Sequence, residues 1–94
     1  MAEILVDPSQ LTSVAGDLDG AATALQTQIT ALEALKSLIE GGATGAAADA
    51  AVHTVTARIA HANVILGEIR KAAQFLRDAS SAYSTAQAQV DGHW

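Results

Sequence analysis

His53 and His61 are the residues of this chain best suited to hold a metal, and eight positions separate them. On an α-helix that spacing is about 12 Å along the axis, too far for one ion, and no third His or carboxylate completes a ligand set. The sequence therefore predicts no metal site, and both histidines read as solvated or packing residues. Asp17 and Asp19 are two apart and do not share a helix face, so they do not make the carboxylate pair that acid–base chemistry needs. Ser80, Ser81, Ser84 and Thr85 form a small-polar patch without an adjacent base, better suited to a helix surface or a close-packing position. No spacing fits a nucleophile beside a base, so neither catalysis nor a cofactor is expected. His93-Trp94 is either a partner or membrane-interface anchor or a frayed tail, and the tail is the preferred reading.

What the sequence does specify is two long helices. Leu11, Leu18, Leu25, Leu32 and Ile39 recur in steps of seven before a glycine-rich break; Val55, Ala62, Ile69, Leu76, Tyr83 and Val90 recur after it, with Val52, Ile59, Leu66 and Ala73 as a companion row. A seven-residue repeat returns side chains to nearly the same face of a helix, giving each segment one apolar stripe. On the first segment the stripe reads 11, 14, 18, 22, 25, 29, 32, 35 and 39, with Lys36 off it. Residues 2–6 read as an extended lead-in. Asp7, Pro8 and Gln10 then form a helix start with a capping-box pattern. The first helix is expected over about 8–40, the glycine turn over 41–45 and the second helix over about 46–90. In the turn a glycine closes the first helix in the left-handed conformation, and Thr44 caps the second, with Asp49 in its first turns. Gly16 and Gly20 mark either a close helix crossing or a weaker first third.

The expected fold class is all-α: an antiparallel two-helix hairpin that dimerises into a four-helix bundle. The reason is area. Of 94 residues 22 are alanine, which form helix readily but bury little surface, and there is no cysteine to staple the chain. An apolar face about 48 Å long and about 10 Å wide amounts to roughly 500 Å², near the upper limit for a soluble monomer. The partner interface is accordingly expected on the stripes, at Leu11, Leu18, Leu25, Ile29 and Leu32 of the first arm and Val55, Ile59, Leu66, Ile69 and Leu76 of the second. Charge supports the hairpin weakly: residues 1–40 carry six acids against one lysine, whereas residues 46–90 are net basic by one. The formal net charge of −5, with only five Lys and Arg, excludes a nucleic-acid partner. No basic, apolar leader and no run of 18 uncharged apolar residues is present, so the chain is expected to be made as a soluble cytoplasmic protein.

The opening Ile4-Leu5-Val6-Asp7-Pro8-Ser9-Gln10-Leu11, followed by Ala15, Leu18 and Ala21-Ala22, with the central glycine turn and unequal arms, resembles a known family. It is similar to the small helical-hairpin proteins of type VII (ESX) secretion, the Trp-X-Gly (WXG) superfamily, and within it to the EspC-like secretion-associated proteins of actinobacteria. The superfamily's turn motif falls on Ile39, Glu40 and Gly41, where Ile stands in place of Trp. Its export signal, a Tyr followed four residues later by an acid, falls on Tyr83 and Gln87, which keep the spacing and lose the charge.

That resemblance implies a non-enzymatic protein exported to the cell envelope or beyond, as substrate, co-substrate or adaptor. It implies pairing with itself or with a related hairpin, and contact with a type VII effector or the secretion ATPase through the C-terminal arm. Two other readings stand beside it: a membrane-active, pore-forming member of a secreted pair, which the low basic charge disfavours, and a chaperone-like adaptor for a type VII toxin.

Overall fold

Two helices account for nearly all of the computed structural model, which describes residues 7–91: α1, Pro8–Gly42, and α2, Ala46–Asp91. They pack along their length as the antiparallel hairpin that the periodicity predicts. The lead-in at 2–6 and His93-Trp94 lie outside the described residues.

Asp7 starts α1 from an extended conformation, its carboxylate accepting the Ser9 N–H at 2.9 Å, with Pro8 as the first helical residue. The Ser9 backbone N–H, helped by the Ser9 side chain, holds the Asp7 carboxyl below its usual range. Only half of the capping box forms. Gln10 gives its backbone N–H to the Asp7 carbonyl at 2.9 Å, and among the described residues its side chain makes no return bond.

The turn differs from the expectation in two respects. Gly41 and Gly42 continue α1, which ends on extended Ala43, whose N–H reaches the Ile39 carbonyl at 3.0 Å. Gly45, not Thr44, precedes α2: its carbonyl accepts the Asp49 N–H at 3.0 Å, and its φ of +100° is open to glycine alone at little cost. The left-handed glycine therefore opens the second helix; it does not close the first.

The seam between the arms follows alternating steps of four and three. In α1 it runs through Ala15, Ala22 and Ile29, all buried, with Leu11, Leu18, Leu25, Leu32, Lys36 and Ile39 half-buried. In α2 Leu66 and Ala73 are buried, and Val52, Val55, Ile59, Ala62, Ile69, Leu76 and Ser80 are half-buried. Relative to the sequence reading, α1 is rotated by one position at both ends. Ala15 replaces Val14 and Lys36 replaces Leu35, leaving Val14 and Leu35 exposed. The small Ala15 and Ala73 are the buried seam residues toward the open end, whereas Ala22, Ile29 and Leu66 fill the middle with Leu25, Ile59, Ala62 and Ile69 around them. Lys36 lies on the seam row near the turn, where a long stem can cover apolar surface while its ammonium stays wet. Gly16 and Gly20 do not mark a crossing, since a Cβ at either meets nothing within 4 Å.

Polar ties fix the open end. Ser80 Oγ and Thr12 Oγ1 each lie 3.0 Å from the Pro8 carbonyl and 3.0 Å from each other. One turn deeper, the Arg77 guanidinium donates to the Asp19 carboxylate, the ion pair that links the oppositely charged arms.

Candidate interaction surface

The molecule measures 74 × 24 × 13 Å, a single layer of helix with two broad faces. One sequence rule sorts residues between them. In an α-helix, side chains one position after a seam residue point to one flank and those one position before it to the other. Asp19 and Arg77, which follow Leu18 and Leu76, meet on the first face. Leu35 and Arg58, which precede Lys36 and Ile59, line a shallow hollow on the second, with Gln28, Ala31 and Leu32.

The two faces differ sharply in chemistry. On the first, the positions that follow a seam residue, 12, 16, 19, 23, 26, 30, 33, 37 and 40 in α1 and 53, 56, 60, 63, 67, 70, 74, 77 and 81 in α2, are all polar or glycine except Ala60. The second carries Val14, Leu35, Leu38, Ile65 and Phe75, which are five of the seven large apolar side chains that remain exposed among the described residues; Leu38 is 74% and Phe75 70% exposed. Alanines 21, 24, 31, 72, 79 and 82 stand between them, and Asp17, Gln28, Thr54, Arg58, His61 and Glu68 share the same rows. The other two exposed apolar residues adjoin the same face. Val64 sits at its outer edge, and Tyr83 continues it toward the end of α2.

The ten residues assigned from sequence to a partner interface, Leu11, Leu18, Leu25, Ile29, Leu32, Val55, Ile59, Leu66, Ile69 and Leu76, are brought together by the fold on the seam between α1 and α2. The exposed set beside them went unnoticed in the sequence because its alanines give a weak periodic signal. It was detectable as Val14, Ala21, Ala24, Ala31, Leu35 and Leu38, a second row displaced by one from the first.

Tyr83 and Gln87 lie one turn apart on α2. Ser80 is bonded to Pro8 at the start of α1, so Tyr83 lies one turn beyond that contact along α2; it stays 49% exposed beside Ala79, Ala82 and Ala86. Gln87 is exposed. The Ile39-Glu40-Gly41 motif occupies the last turn of α1 rather than the connection, with Ile39 half-buried over Ala48 and Val52.

His53 and His61 share a shallow surface hollow with Thr54, Ala57 and Arg58. Among the described residues no three His, Cys, Asp or Glu side chains converge, and no helix is long and apolar enough to cross a membrane. Compared with known proteins, the chain matches no family model, no curated protein and no solved structure.

Proposed function

We propose that this chain is a non-enzymatic, type VII secretion-associated hairpin that works by helix–helix pairing and is exported as a substrate, co-substrate or adaptor. The observation that carries the reading is the division of the hairpin into one broad face that is polar almost throughout and one on which large apolar side chains stand exposed among alanines and a few polar residues. A two-helix layer has too little interior to keep large side chains dry on its own, so a surface built this way is suited to another helical layer. The export part rests on the resemblance of the Asp7-Pro8 opening, the unequal arms and the Tyr83–Gln87 pair to the EspC-like proteins. It gains support from the position of Tyr83, half-exposed near the end of the longer arm, where a receptor groove can take it.

The test is export of the tagged chain from an actinobacterial host with and without a working type VII system. Wild type is expected outside the cell only in the competent host. Tyr83→Ala is expected to remain inside, and Gln87→Glu to leave at least as well as wild type. Export that ignores both the system and Tyr83 removes the secretion reading.

A further inference from the structure

We propose that Ile4, Leu5 and Val6, which lie outside the described residues, dock on the end of α2 as a strap, with Val6 closing over Tyr83 and Leu5 and Ile4 running on past Ala86. The contact is a matter of the fold. Only its consequence rests on the reading above: the residue offered to an export receptor is covered by the chain's own lead-in until the receptor displaces it.

The surface is small and apolar. Ala79, Ala82, Tyr83 and Ala86 line a shallow hollow of about 300 Å³ on α2. They are three or four positions apart, so they share one side of the helix, and the hollow runs for only about 10 Å along it. That length suits a few aliphatic side chains and is too short to seat another helix of either arm's length. Tyr83 is also the position after Ser80 in the row by which α2 meets α1, and Ser80 is already bonded to Pro8, the first residue of α1. Tyr83 remains 49% exposed there, so completing its cover takes residues from outside α1.

Reach, direction and composition choose the lead-in as the occupant. The antiparallel arms bring the residues before Pro8 beside those after Ser80. Three extended residues span about 10 Å, and so does the stretch of helix from 80 to 87. Direction comes from the cap. Asp7 is the N-cap of α1 with φ −85° and ψ 121°, which makes Val6 the residue before the cap and Leu11 the fourth of the helix. An apolar pair at those two positions packs together as a staple that sets the angle at which the chain enters the helix. Leu11 is half-buried on the seam, so the staple draws Val6 toward α2 and away from solvent. Ile4-Leu5-Val6 is moreover a run of three large apolar residues, costly to leave in water, and its tether gives it an effective concentration that a separate occupant lacks. Ordering these residues opposes the contact, so the strap opens readily enough for a receptor to displace it.

The experiment is NMR of the purified full chain, with nitration of Tyr83 by tetranitromethane at a fixed pH as the measure of access. Tyr83 is the only tyrosine, so both signals are unambiguous. Nuclear Overhauser contacts are expected from the Tyr83 ring to the Val6 and Leu5 methyls, and in a mixture of labelled and unlabelled chains they are expected within one chain. Leu5→Ser with Val6→Ser lies outside the helices and is expected to keep the helical circular dichroism while nitration accelerates about fivefold, the scale of a local contact that opens often. Ala82→Gln places a polar, helix-favouring side chain in the hollow and is expected to abolish the contacts. Absent contacts in wild type, contacts that run only between chains, or a nitration rate indifferent to the two serines each overturn the strap. Contacts that survive Ala82→Gln overturn the hollow as its seat. Export is a separate readout: a chain that shows the contacts but leaves the cell without the type VII system refutes the secretion reading and leaves the strap standing, and a Tyr83-dependent exporter without the contacts does the reverse.

Discussion

Replacing Ile29 by alanine tests whether the seam, rather than helix propensity, holds the arms together. Ile29 is 2% exposed, the largest fully buried side chain, and it packs against Ala22, Leu66 and their half-buried neighbours. The substitution removes three carbons, which at about 0.8 kcal/mol each amounts to roughly 2.4 kcal/mol of lost transfer free energy. A cavity penalty comes on top, and it is small here because a layer 13 Å thick can relax or admit water. The expected loss is about 3 kcal/mol. A chain of this size typically has a total stability on the order of 5 kcal/mol at the low end, so more than half disappears from one side chain. Urea denaturation followed by circular dichroism measures it, with Leu38→Ala as control at equal protein concentration. Leu38 is 74% exposed and contributes little to the isolated hairpin, so its truncation should cost well under 1 kcal/mol there. If Ile29→Ala costs no more than Leu38→Ala, the argument that a few buried side chains hold the arms together is wrong.

Gly16→Ala and Gly20→Ala should each stabilise the chain by about 1 kcal/mol in the same denaturation assay, since both positions are helical and open and nothing obstructs the added methyl. Gly45→Ala should instead destabilise it by about 1 to 2 kcal/mol despite equally open space, because φ of +100° is strained for any residue with a Cβ. Asp7 gives the start of α1 a pH dependence. Its carboxyl titrates below the ordinary range, so its contribution is complete above that range and is lost as pH falls through the lowered value. Protection of the Ser9 to Leu11 amides, taken against the intrinsic exchange rate at each pH, should therefore fall in acid, and Asp7→Asn, which keeps the cap without the titration, should flatten that response.

Much of the fold was legible because its largest signals are local. Asp7-Pro8 marks the start of α1 in covalent chemistry, the glycine-rich stretch marks the break that falls at 43–45, and the second ladder from Val52 to Leu76 matches the seam row of α2 residue for residue. Three details escaped for physical reasons. Choosing Val14 over Ala15 as the seam residue follows hydrophobicity, but the close approach of two helices favours the smaller side chain. Choosing Thr44 over Gly45 as the cap follows side-chain hydrogen bonding, whereas the turn is governed by a backbone angle. The candidate surface was the least legible part. The strong apolar stripe supplies the packing within the hairpin at Leu25, Ile59 and Ile69, and the exposed face beside it is marked only by Val14, Leu35, Leu38, Ile65 and Phe75 scattered among alanines and polar residues.

The elongated shape bears on the export proposed above. With a radius of gyration of 21.2 Å the chain is far more extended than the roughly 12 Å of a compact globule of equal length, yet its end-on profile is only 24 × 13 Å. Travelling lengthwise, it clears an aperture narrower than the roughly 32 Å diameter of that globule without giving up a single helical hydrogen bond. A conduit of intermediate bore would then discriminate by outline alone, admitting the slender rod in its native form and refusing rounder proteins of the same mass unless they were first unravelled.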